Sequence, residues 1–94
     1  MESALFQFLV RVGLNDDDID FICNSFPELD NIDSEDAIEN ARLVVDYGFP
    51  IDELEWLILI NPSFLINSPM LLEEILQKLG NNVESELKKN PFII

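Results

Sequence analysis

The sequence has no histidine, a single cysteine (Cys23), and five lysine and arginine residues among 94. Each scarcity closes a class of function. Without histidine the commonest general base is missing, and a lone thiol with no imidazole provides neither an internal disulfide nor a His/Cys set for structural zinc. No Gly-rich phosphate loop or nucleophile elbow occurs among the three glycines. The acids Asp16, Asp18 and Asp20 share the spacing of the first calcium-loop ligands, but Phe21 stands where the sharp turn needs glycine and Pro27 where the loop closes on an acid. These absences predict a protein that is not an enzyme, with no catalytic residues, no cofactor and no metal. Long apolar runs are missing too. The most apolar stretch, Trp56 to Leu72, is interrupted by Asn61, Pro62, Ser63, Asn67, Ser68 and Pro69, short of the roughly 20 continuous apolar residues a bilayer span needs. No membrane partner is expected, and the lack of a signal or transit pattern near Met1 leads to an expected cytoplasmic location.

What is present is enough apolar material to fold. Hydrophobic residues make up 48% of the chain, against the low hydrophobicity that accompanies disorder. A chain of this length buries only about 60 to 65% of its unfolded surface, so one domain over residues 1–94 with one core is expected.

The chain also repeats itself. Gly13 precedes Pro27 by 14 positions and Gly48 precedes Pro62 by 14, which sets an offset of 35 residues. At that offset Leu14 meets Phe49, Asp17 meets Asp52, Ile19 meets Leu54, Phe21 meets Trp56 and Ile22 meets Leu57. A third start at Gly80 reaches Pro91 after 11 residues, and the sequence ends at Ile94. Such a period describes supersecondary units that stack because none buries its apolar face alone.

Each unit reads as a helix, a proline-marked break and a second helix. Asn15 can cap a helix over Asp16 to Phe26, with Asp16, Asp17 and Asp18 at the positive end of its dipole. Pro27 ends it. Ser34 is the expected cap of the next helix, whose stripe is Ala37, Ile38, Ala41, Val44 and Val45, and Gly48 closes it. In the second unit Leu54, Leu57 and Ile58 should point inward, Pro62 break the helix, and Ser68-Pro69 restart it over Met70 to Leu79. Asn82 is the expected cap of Val83 to Lys89, and a further helix over Ala4 to Val12 turns Leu5, Leu9 and Val12 inward. The fold class expected is all-α, a short helical-repeat solenoid of about two and a half repeats plus an N-terminal helix, with little enclosed space.

The stretches GLNDDDIDFICNSFPEL (Gly13 to Leu29), GFPIDELEWLILINPSFL (Gly48 to Leu65) and GNNVESELKKNPFII (Gly80 to Ile94) resemble the repeat of the mitochondrial transcription termination factor family, mTERF. The resemblance implies a curved solenoid whose proline turns are short 3₁₀ segments. It also implies duplex nucleic-acid binding through a basic groove. The charges depart from that pattern: the net charge is −14, with 19 acids. Duplex binders that neutralise about 6 to 10 phosphates do so with lysine and arginine, whereas Arg11, Arg42, Lys78, Lys88 and Lys89 are few and dispersed along the chain. Direct nucleic-acid binding is therefore not expected.

The negative charge is concentrated. Residues 1–55 hold 15 acids and 2 bases, residues 56–94 hold 4 acids and 3 bases. Such a field keeps an apolar repeat protein in solution, and it also steers a basic protein partner towards its surface. The residues expected to meet that partner are Asp16, Asp17, Asp18, Asp20, Asp30, Asp33, Glu35, Asp36 and Glu39, together with Trp56. A variant of this reading is mimicry, in which these acids occupy the phosphate groove of a nucleic-acid enzyme and inhibit it. The run Trp56 to Ile60 is either sandwiched within the stack or exposes Trp56, Leu59 and Ile60. The apolar tail Phe92 to Ile94 must fold back, form a homodimer or meet a partner.

Overall fold

The computed structural model describes residues 4–30 and 33–94. Its α-helices are α1 (Ala4–Val12), α2 (Asp16–Ser25), α3 (Ser34–Asp46), α4 (Leu54–Ile60), α5 (Pro69–Leu79) and α6 (Val83–Lys89), and no strand occurs among the described residues. Short 3₁₀ turns stand between them at Pro27–Asp30, Ile51–Glu53, Pro62–Ile66, Gly80–Asn82 and Pro91–Ile93. The all-α expectation holds, and the helix boundaries fall within a residue of those read from glycine and proline, except that the second unit begins with a 3₁₀ turn before α4.

Backbone chemistry repeats with the sequence. After α1 the amide of Leu14 donates to Leu9 O at 3.1 Å, and 35 residues later Phe49 N donates to Val44 O at 3.1 Å. Both closures turn on glycine, Gly13 at φ +122° and Gly48 at φ +117°, where a side chain is strained. Ahead of Pro27, Pro62 and Pro91 the chain leaves helical geometry at the preceding residue: Phe26 at φ −132°, ψ 75°, Asn61 at −140°, 71° and Asn90 at −149°, 91°. The proline ring forces this, since it clashes with a helical predecessor. Each of these residues still donates its own amide back to the helix, to Ile22 O, Leu57 O and Glu86 O at 2.8 to 2.9 Å.

The core is built from the predicted stripes. Leu5 and Leu9 of α1, Ile19 and Ile22 of α2, Ala37, Ala41 and Val44 of α3, and Leu54, Leu57 and Ile58 of α4 are all buried. Val12, Cys23, Phe26, Ile38 and Val45 pack against them partly buried. Helix α3 is central, packing on α1, on α5 and on the 3₁₀ turn Pro62–Ile66. Its two alanines and Val44, all with no exposed area, permit that close approach. The radius of gyration, 12.4 Å, matches the roughly 12 Å of a globular chain of this length. Among the described residues no helix is long and apolar enough to cross a membrane.

Two details differ from the sequence reading, and the choice it left open for the tail is resolved. The cap of α3 is Asp33, whose Oδ1 accepts from Glu35 N at 2.8 Å, so Ser34 is the first helical residue. Ser68 and Asn82 occupy cap positions without a side-chain capping bond. The tail folds back: Asn61 Nδ2 donates to Pro91 O at 2.8 Å and Asn67 Nδ2 to Ile94 O at 3.4 Å. Ile94 is buried and Ile93 packs on the core, while Phe92 stays exposed.

Candidate functional site

The expected acidic site resolves into two clusters at helix starts. At α2, Asn15 is extended, its side chain accepts from Asp18 N at 2.8 Å, and Asp18 Oδ2 accepts in return from Asn15 N at 3.4 Å. This reciprocal pair satisfies amides that the first helical turn leaves unbonded. Asp18 is thus engaged by its own helix. Asp16, Asp17 and Asp20 are exposed around it, and no basic side chain pairs with them among the described residues. At α3, Asp33 is spent on capping, and Glu35, Asp36 and Glu39 are exposed and equally unpaired. The side chain of Asp30 lies outside the described residues.

The helices carrying the clusters each pack on α1. Among the described residues the ion pairs involve Lys88 alone, which holds Glu53 Oε2 and Glu84 Oε2 at 2.8 Å each. Those hydrogen bonds, first to Glu53 and then to Glu84, hold the lysine pKa above its ordinary value. Lys88 thereby joins α6, in the half of the chain with little net charge, to the turn before α4, at the end of the acidic half.

Trp56 stacks on buried Phe49, ring centroids 6.4 Å apart and planes at 14°, which covers one face and leaves the residue 37% exposed. Leu57 and Ile58 are fully buried, Leu59 is partly buried and Ile60 is exposed. The run is therefore neither wholly sandwiched nor a continuous patch.

Two features escaped sequence reasoning. The first is Asn40, a fully buried amide on α3 whose Nδ2 faces the carbonyls of Phe64, Leu65 and Asn67 at 3.1, 3.2 and 2.6 Å. The second is an open cavity of about 660 Å³ between α1, α3 and the start of α4, which both Arg11 and Arg42 line. The two arginines that look dispersed in sequence share one concavity, and the short stack has more room than expected. No signal of spacing joins them, because only the packing of α1 on α3 sets their proximity.

Among the described residues no group of three or more cysteine, aspartate or glutamate side chains is placed to hold a metal ion. Comparison with known proteins finds no matching family model, no matching curated protein and no matching solved structure.

Proposed function

We propose that this chain is a non-catalytic interaction module that docks a basic protein through the acids at the starts of α2 and α3. One observation carries the reading: Asp16, Asp17, Asp20, Glu35, Asp36 and Glu39 are exposed in the first halves of α2 and α3 and have no basic partner among the described residues. An uncompensated field of this kind accelerates encounter with a positive surface and weakens with salt. Asp18 and Asp33 belong to the scaffold that holds the clusters in place. Trp56, stacked on Phe49 and 37% exposed, supplies an apolar contact of its own. The test is capture of a basic protein at low salt and its release at high salt.

The scaffold is, in this reading, a short mTERF-like solenoid, supported by the matching glycine closures and by the three non-helical residues with similar backbone angles before Pro27, Pro62 and Pro91. The ligand of that family is not carried over, because the exposed acids repel phosphates. Duplex competition separates simple docking from nucleic-acid mimicry: a mimic is displaced from its partner by added duplex, a plain docking module is not. A gel shift with duplex at physiological salt is the corresponding test for direct nucleic-acid binding.

A further inference from the structure

We propose that the cavity between α1, α3 and the turn Ile51–Glu53 is a binding site for a medium-chain carboxylate, with its apolar body inside and its head group on Arg11 and Arg42. The volume of about 660 Å³ lies within the roughly 300 to 1,000 Å³ of small-molecule sites. Its walls include Phe8, Val12, Val45 and Leu54. Three of these are only partly buried, so apolar surface remains open to water inside a concavity. Ile51, 68% exposed, stands at its edge.

The arginines give the site its donors for an anionic head group. They are the only bases in residues 1–55, beside 15 acids, yet neither guanidinium makes an ion pair or a hydrogen bond with a described residue. Asp46 and Asp52 line the same cavity, and even these do not close on them. A long side chain lying over apolar surface is ordinary packing and accounts for one such arginine. Here both arginines, exposed and reaching one cavity from separate helices, keep their guanidinium donors available to an incoming head group. A guanidinium offers a planar fork of donors that matches a carboxylate in two parallel hydrogen bonds. Asp46 and Asp52 balance the two positive charges, so the lining is neutral overall. A polyanion is disfavoured there, and a ligand with one carboxylate and an apolar remainder fits.

The test is a titration of the full chain with decanoate, below its micelle concentration, followed by NMR of the methyl groups of Val12, Val45, Ile51 and Leu54. Decanol and acetate serve as the neutral-head and short-chain comparisons. Decanoate is expected to shift these methyls to saturation at one equivalent, decanol to bind about tenfold more weakly or worse, and acetate to leave them unmoved. The double variant Arg11→Gln, Arg42→Gln should bring decanoate down to the level of decanol while methyl signals remote from the cavity stay in place. Absence of saturable shifts, equal binding of decanol and decanoate, an unaffected double variant, or shifts centred instead on exposed Ile60, Met70 or Leu71 would each overturn the assignment. Neither the probe nor the variants touch the acids of α2 and the start of α3, so the outcome is independent of the docking proposal.

Discussion

The side-chain amide of Asn40 donates to the carbonyl of Asn67 at 2.6 Å, and with the carbonyls of Phe64 and Leu65 it fastens the middle of α3 to the end of the second proline turn. Asn67 in turn reaches Ile94 O, so two amides step from α3 through one proline turn to the next. Asn40→Ala leaves three acceptors, two of them buried, without this donor and should cost about 2 to 3 kcal/mol in urea unfolding. Asn40→Asp keeps the shape but sets a carboxylate against carbonyl oxygens. It should cost more than alanine, on the order of 3 to 5 kcal/mol. A milder effect for aspartate than for alanine contradicts the donor role.

Gly13 and Gly48 offer a matched comparison. Both have strongly positive φ, but a Cβ at Gly13 meets Glu55 Oε2 at 2.8 Å whereas one at Gly48 meets nothing within 4 Å. The atom at Gly13 is the end of a flexible side chain and can move. Gly13→Ala and Gly48→Ala should therefore each lose about 1 to 3 kcal/mol from backbone strain, equal to within about 0.5 kcal/mol. A far larger loss at Gly13 in thermal unfolding means that Glu55 is held in place.

Lys88 predicts an alkaline signature. Its pKa is raised in the folded chain by Glu53 and Glu84, so its contribution is fully present below the ordinary lysine pKa and lost as pH rises through the raised one. The side chains are well exposed, which keeps the contribution small. The stability difference between the native chain and Lys88→Gln, followed by urea unfolding from neutral to strongly alkaline pH, should shrink towards zero at the alkaline end. A difference that does not change with pH contradicts the pairing.

The acids at the two helix starts divide into structural and outward-facing groups. Asp18→Ala and Asp33→Ala remove capping interactions and should each cost about 1 kcal/mol. Glu39→Gln, further along α3 and exposed, should stay within about 0.5 kcal/mol. Chemical unfolding of the three variants checks this order, and equal costs for all three contradict the division.

Much of this architecture was legible because glycine and proline act on the chain locally. The closures at Gly13 and Gly48 and the breaks at Pro27 and Pro62 need only a backbone preference, and the 35-residue offset exposes them twice over. The cap of α3 was displaced by one residue because Ser34 and Asp33 are both good caps and the sequence does not say which is extended. Asn40 was illegible: it sits among polar residues of an ordinary helix, and its acceptors lie 24 to 27 residues away. The Arg11 and Arg42 cavity was hidden for the same reason. Trp56 was ambiguous because it stacks on Phe49 yet stays 37% exposed. The acids were plain in sequence, but only hydrogen-bond geometry separates Asp18 and Asp33 from their unpaired neighbours.

The docking proposal is tested most directly by paired capture experiments from the native host at low salt, using the full chain and a variant with Asp16, Asp17, Asp20 and Asp36 changed to Asn and Glu35 and Glu39 to Gln. The account predicts that the native chain retains a basic protein that elutes as salt is raised, and that the variant, folded by circular dichroism, does not retain it. A native chain that yields nothing eluted by salt, or a variant that retains the same protein equally well, contradicts it.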